Sequence, residues 1–497
     1  MKTLSCSAVL VTVSLILLSG CEREPLTILH WNDAHSNNLP FKTKRSPSDP
    51  QLVEVGGYAW LKAALDSIRD ARPVNLTVFA GDEFQGTPIS SETAGRSQIP
   101  MLQALAPDFL VPGNHEFDYG DDHFLHLADS SGLNWLAANL IDSVSRQPVF
   151  QSGQLINRGG WKVAVVGITT PELKEVSLPV NVDRFSMIGH LEAIRQTIDS
   201  LNRIGKPDLY ILISHAGLDM DSTIARAIPD FDLIIGGHTH SVMAEPSVIG
   251  KTRIVQSGSR GRFLGEITIS EKQGLPDVAF KVHEIGPGNQ KPDKKFQARI
   301  DSMEAGLQER LKVVIGEFTT ELPLPTTGEN ALANWITDAY RWKTGAEISM
   351  MNAGGIRRGF HPGPVSRRDI WELAPFGNYL VDLFFTGQQL EAAIRHSLNH
   401  AETPLHFSGL QLTIRQKRTG SDLIRVSVNG QPVRKETVYR VTTNNFVALQ
   451  ARAMFGIDPA SLRTKQTGLV DRDVLMERIQ TSGSMGPVTD GRLKVIP

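Results

Sequence analysis

Thiols are nearly absent from this chain: 497 residues contain two cysteines, Cys6 and Cys21, both close to the N-terminus. If Cys6 leaves with a leader and Cys21 is capped, the body holds no disulfide, and its stability must come from the size of its cores. An excess of charge of one sign is missing too. A formal net charge of −2 gives no electrostatic footing for a nucleic-acid polymer or a basic membrane face. There is no internal repeat and no low-complexity tract, so solenoid and linker architectures are excluded.

One apolar run is present, from Ala8 to Leu18 after Lys2, and it is too short to span a bilayer as a stable helix. With Leu18-Ser19-Gly20-Cys21 behind it, residues 1–20 read as a secretory signal. The small residues before Cys21 resemble a bacterial lipobox, in which the chain is cut before the cysteine and the thiol is lipidated. One diacylglycerol plus an N-acyl chain makes a firm anchor, since stable attachment takes more than one chain. The expectation is an exported lipoprotein, anchored at Cys21 and facing the periplasm or the cell exterior. Glu22 after the cysteine points to the outer membrane where the cell has one.

The length predicts two domains. Strands and helices alternate through residues 26–286, with helical spacing in Tyr58 to Ile68 and Ile188 to Ile204, as in an α/β layered domain. A turn-rich break at Pro287-Gly288-Asn289-Gln290-Lys291-Pro292-Asp293 leads into a charged helical stretch, Lys295 to Leu311. Residues 287–312 therefore read as a connector, polar around most of its circumference. A second unit, 313–497, opens with a strand at Val314 to Thr319 and a helix from near Gly328-Glu329 to Tyr340. Phe41 to Pro50 reads as an exposed loop.

In the first unit, five apolar runs each end in metal-type ligands. Leu26 to His30 precedes Asp33-Ala34-His35, and Leu76 to Ala80 precedes Gly81-Asp82. Phe109 to Val111 precedes Gly113-Asn114-His115-Glu116, Leu209 to Ser214 precedes His215, and Phe231 to Ile235 precedes Gly237-His238-Thr239-His240. Functional side chains collect where parallel strands end, because the loops there are exposed while their anchors are rigid. Oxygen and nitrogen donors without thiolate suit two divalent ions such as Mn²⁺, Zn²⁺, Fe²⁺ or Co²⁺. A metal pair roughly 3.5 to 4 Å apart clamps both oxygens of an in-line displacement at phosphorus. It needs a bridging carboxylate, and Asp82 is the candidate. Asp33, His35 and His240 then complete one ion, and Asn114, His215 and His238 the other. His30 reads as a satisfied core residue, and His123 and His126 as a solvated helix face.

This ordered set resembles the calcineurin-like metallophosphatases, and Leu26 to His35 and Gly113 to Asp118 are similar to their 5′-nucleotidase branch. The resemblance implies a four-layer α/β/β/α sandwich followed by a C-terminal α/β 5′-nucleotidase domain. It also implies that His115 binds no metal but pairs with Asp118, and that this dyad stabilises the transition state. Asp118 stands equally where it would cap a helix opening near Tyr119.

In the second unit, Asn352-Ala353-Gly354-Gly355-Ile356-Arg357-Arg358 follows an apolar strand. Its glycines allow close backbone approach, and Arg357 offers a planar fork for phosphate or carboxylate oxygens. Two phenylalanines, in Pro375-Phe376-Gly377-Asn378 and Asn445-Phe446-Val447, could sandwich a flat base. These motifs are again similar to the 5′-nucleotidase C-terminal domain. Asn352, Gly354, Gly355 and Arg357 would then contact nucleoside or phosphate, and Phe376 and Phe446 would stack on the base. Three positions depart from the family. Leu449-Gln450-Ala451-Arg452 stands where a Gly-Gly-Asp-Gly stretch reads the base edge, Ala331 replaces an arginine, and Ser36 a glycine.

The expected activity is hydrolysis of nucleoside 5′-monophosphates outside the cytoplasm. Rival readings are a nucleoside diphosphate sugar hydrolase, a 2′,3′-cyclic-nucleotide phosphodiesterase, a thiosulfohydrolase acting on a sulfur carrier protein, and a non-catalytic nucleotide-binding lipoprotein.

Overall fold

The structure, a computed structural model, describes residues 23–496 apart from 46–48, 50, 273–274, 289, 327, 401–404 and 419. The signal segment 1–20 and Cys21 lie outside the described residues.

Two sheets face each other in the N-terminal half. The first runs Leu275–Glu284, Phe263–Lys272, Leu26–Trp31, Asn75–Phe79, Phe109–Leu110 from edge to edge, and its last three strands are parallel. The second runs Ser247–Ile249, Thr252–Val255, Leu233–Gly236, Leu209–Ser214, Trp161–Ile168, Gly153–Arg158, with a parallel centre. Strand alternation decides the layers. Leu26, Ile28, Leu76 and Val78 meet Ile211, Ile213, Leu233 and Ile235 between the sheets. Leu29, Trp31 and Phe79 turn outward into a core with helices Tyr58–Ala71, Ile99–Leu105 and Asp121–Ser131. On the far side, Val166, Leu212 and Ile234 pack against helices His190–Ile204 and Leu218–Ala227. Both sheets are covered on both faces, which is why their central strands are apolar throughout. The result is a four-layer α/β/β/α sandwich.

Helix Lys294–Leu311 follows, its first turn capped by Asp293, whose carboxylate accepts from Phe296 N at 2.8 Å. This helix is more engaged than its polar circumference suggested. Phe296 and Ile300 enter the core of the first half, Leu307 and Leu311 pack with Ile89 and Trp371, and the buried Glu304 accepts from Arg368 at 2.8 Å. Beyond it, a mixed five-stranded sheet runs Leu405–Ser408, Ile348–Asn352, Val438–Asn444, Tyr379–Thr386, Thr464–Val470.

Two local expectations change. Phe41–Lys44 is a strand, paired antiparallel with Leu52–Val55, and not an open loop. The helix expected from Gly328 begins at Ala331, because the side chain of Asn330 accepts from Ala333 N at 3.0 Å and sets the start there. Among the described residues, no helix is long and apolar enough to cross a membrane.

Candidate metal centre and substrate cavity

Strand ends bring the ligand-type residues together. Donor atoms of Asp33, His35, Asp82 and His240 lie within 4.8 Å of one another, as do those of Asp82, His215 and His238. Asp82 belongs to both groups: its carboxylate lies 3.1 Å from His215 Nε2 and 3.9 Å from His35 Nε2, and its other oxygen accepts from His115 N at 3.0 Å. Five of these residues, Asp33, His35, Asp82, His238 and His240, have positive φ between 49° and 75°. Left-handed backbone at a non-glycine residue costs about 1–3 kcal/mol each, so the surrounding packing imposes this geometry.

The donor set fits divalent ions. His215 donates through Nδ1 to Ala80 O at 2.7 Å, which aims Nε2 into the site beside the Asp82 carboxylate. The buried Asn114 Oδ1 is unpartnered. His35 Nε2 and His240 Nε2 face each other at 3.0 Å, with Asp33 3.3 Å from the latter. Imidazole and carboxylate lone pairs converging in this way are the donors that cations such as Zn²⁺ and Mn²⁺ take. The charges act together. Burial opposes ionisation of Asp82, but His215 and His115 outweigh it and hold the carboxyl well below its usual range. Burial also opposes a charge on His215, yet Asp82 and Asp33 push it up to about 10. Burial lowers His238 to about 4.

His115 Nδ1 lies 2.7 Å from Asp118. Burial disfavours the imidazolium, but Asp118 and Asp82 together raise the His115 pKa above its ordinary value. Asp118 does not cap the following helix, which opens at Asp121 behind Gly120; its own N–H closes the short 3-10 turn His115–Phe117.

A cavity of about 800 Å³ runs from Asp82, Asn114, His238 and His240, past His115 and Asp118, to Asn352, Gly354, Gly355, Arg357, Phe376 and Phe446. The two halves of the chain thus share one chamber. Arg357 Nη2 stands 3.2 Å from His35 Nε2, and the Phe376 ring stacks on His115 at 5.5 Å. Asn352 Oδ1 is buried and unpartnered.

Several supporting residues carry no assignment from sequence. Glu116, fully buried, accepts from four backbone N–H groups: Asp82 at 3.0 Å, Glu83 at 2.6 Å, Phe84 at 3.2 Å and Gly113 at 2.6 Å. It ties two ligand loops together. Its signal lay inside the Asn114-His115-Glu116 motif. Asn32 donates to Asp33 and to Gly258 O, both at 2.6 Å, and accepts from Ser257 N at 3.0 Å. Gln256 donates to Gly237 O at 2.9 Å and accepts from Thr239 Oγ1 and Ser241 N, setting the His238–His240 loop. No local pattern marks Gln256. Of the remaining histidines, His30 is buried as expected but not satisfied, since neither ring nitrogen has a partner. His123 leaves its helix face to meet Ala94 O at 2.7 Å.

Residues 26–242 match the calcineurin-like phosphoesterases, and residues 314–455 match the 5′-nucleotidase C-terminal domain. The 5′-nucleotidase of Vibrio cholerae is 23% identical, with 96% of each chain aligned. The trifunctional nucleotide phosphoesterase YfkN of Bacillus subtilis is 24% identical over 95% of this chain. The chain spans only 35% of YfkN, and 41% of the endonuclease YhcR of the same organism. The solved 5′-nucleotidase precursor of Thermus thermophilus superimposes with a TM-score of 0.87 at 25% identity, covering 95% of this chain and 99% of its own. A sulfate thiohydrolase, SoxB, shares the fold at a TM-score of 0.83 and 18% identity.

Proposed function

This chain belongs to the 5′-nucleotidase family, a calcineurin-like phosphoesterase unit joined to a 5′-nucleotidase C-terminal domain, and we propose that it hydrolyses nucleoside 5′-monophosphates to nucleoside and phosphate. One observation carries the reading: a single cavity holds both ligand clusters, the His115–Asp118 pair, Arg357 and two phenylalanine rings.

In this reading Asp33, His35, Asp82 and His240 would hold one ion, and Asp82, Asn114, His215 and His238 the other. When bound, the pair supplies Lewis-acid polarisation of the phosphoryl oxygens and activates water as the nucleophile. The chain's own residues do the rest. Arg357 forks onto phosphate oxygens from the opposite wall. Asp118 occupies His115 Nδ1, which leaves Nε2 to stabilise the charge that develops as the P–O bond to the nucleoside breaks. Phe376 and Phe446 take the base between them, contacts worth about 1–3 kcal/mol per base. Asn352 and the Gly354-Gly355 turn complete the substrate end.

Glu172, Glu175 and Met454 line the same cavity. Its volume of about 800 Å³ leaves room for a larger class for assay, nucleoside diphosphate sugars, beside the 2′,3′-cyclic nucleotides. A non-catalytic nucleotide-binding role is disfavoured, since no ligand position has decayed.

Residues 26–286 serve in this proposal as the catalytic domain, 313–497 as the substrate-binding domain, and 287–312 as the hinge between them. Export and a lipid anchor at Cys21 belong to the same reading, on the strength of the Leu18-Ser19-Gly20-Cys21 pattern.

The test is phosphate release by residues 22–497 with Mn²⁺ or Zn²⁺ from AMP, UMP, ADP, a nucleoside diphosphate sugar and 2′,3′-cyclic AMP, the last two with a coupled phosphatase. Metal-dependent release from the monophosphates, abolished by Asp82→Ala, is the expected result. No release from any nucleotide by protein that binds two metals refutes it.

A further inference from the structure

Helices Asn445–Leu449 and Ala451–Phe455 are separated by one residue, Gln450, whose φ of −90° and ψ of 23° make the kink between them. Its buried carboxamide leaves this unit of the fold. Nε2 donates to Lys174 O at 3.1 Å and to Ser177 O at 3.0 Å, more than 270 residues away in the phosphoesterase half. Both acceptors lie in or just after the short helix Leu173–Val176. Carbonyls at a helix C-terminus have no intrahelical donor, so Gln450 caps this helix from the other half of the chain.

Both joined pieces line the cavity: Glu172, Glu175, Val176 and Leu178 come from the phosphoesterase half, and Phe446, Ala453 and Met454 from the C-terminal half. Gln450 stands four residues after Phe446, and its N–H donates to Phe446 O at 2.9 Å. That bond sets Gln450 one helical turn after Phe446. Leu173 is fully buried in the core of the first half, and Ala451 in that of the second, which roots each segment in its own unit.

We propose that Gln450 is a positioning residue for the nucleoside end, clasping segment 172–178 against the Phe446 helix so that the ring meets the base at a fixed spacing. The inference rests on the nucleotidase reading for its substrate, and on the two cross-chain hydrogen bonds for its geometry. It assigns discrimination between nucleotides and base-free phosphoesters to a residue that touches neither phosphate nor metal.

The test uses Gln450→Glu, which keeps the shape but loses both donors, beside Gln450→Leu. Losing two neutral hydrogen bonds corresponds to roughly tenfold in binding. KM for AMP should therefore rise about tenfold in both variants with kcat little changed, and the ratio of kcat/KM for AMP over ribose 5-phosphate should fall by the same factor. Amide hydrogen exchange across 172–178 should accelerate in the same variants. An unchanged AMP to ribose 5-phosphate ratio, or unaltered exchange in that segment, overturns the proposal. Wild-type protein that ignores AMP defeats the nucleotidase reading instead, and the exchange comparison then still decides whether the clasp exists.

Discussion

Glu116 offers the sharpest check on how the metal site is built. Its two oxygens serve four backbone N–H donors, so each oxygen accepts twice. Burial and the Asp82 charge push this carboxyl up to about 7, while His215 and the N–H groups of Glu83 and Gly113 pull it down. With all four neighbours donating, a proton on either oxygen would face another donor, so the carboxylate is the form that fits. In Glu116→Gln the new amide would confront two N–H groups and leave both without an acceptor. Hydrogen bonds to a charged group contribute about 1.5–3 kcal/mol each, so losing two costs roughly 3–6 kcal/mol, a large share of a typical total of about 5–15 kcal/mol. The loops carrying Asp82 and Asn114 would also lose their fixed relation, weakening metal binding. Urea unfolding followed by tryptophan fluorescence gives the stability change, and calorimetric Mn²⁺ titration gives the affinity. If Glu116→Gln unfolds within about 1 kcal/mol of wild type and binds metal equally well, the anionic staple is refuted.

Further outcomes follow from the same geometry. A Cβ on Gly113 would lie 2.1 Å from Asp82 Oδ1 and 2.7 Å from His215 Nε2, so Gly113→Ala should displace the Asp82 carboxylate and lower kcat roughly 10²-fold; near wild-type turnover would contradict the placement of Asp82. Asp118→Asn should lower kcat by about 10² or more with KM nearly constant, because the imidazole loses its orienting charge; an effect confined to KM would remove the dyad from the chemical step. His30, buried without partners and stacked on Phe280 at 6.0 Å, is pushed down to about 3 by burial. Its folded pKa is depressed, so its neutral form contributes stability that is present above about 6.5 and lost as pH falls toward 3, at most roughly 4–5 kcal/mol. His30→Leu should flatten that part of the acid limb in urea midpoints measured from pH 7 to 4, and an unaltered limb would contradict it.

Much of the site was legible because its signals are local. Each ligand-type residue stands within a few positions of a buried apolar strand, and apolar runs with His, Asp or Asn at their ends survive as patterns in one dimension. The layers follow from alternation: Leu26 and Ile28 face one core, Leu29 and Trp31 the other. Where reading failed, the deciding partner was remote in sequence. His30 looks like any core residue until the fold leaves both of its nitrogens unpaired.

The sequence by itself determined which side chains could bind metal and roughly where strands deliver them, since both depend on residue type and short-range hydrophobic periodicity. Tertiary structure alone decided what keeps those donors in place. The N–H groups of Asp82, Glu83 and Phe84 gathered on Glu116, and the reach of Gln450 to Lys174 and Ser177, arise between segments tens to hundreds of residues apart. Such contacts carry no local free-energy signature. They appear only when the packed cores fix the ends of the strands in space.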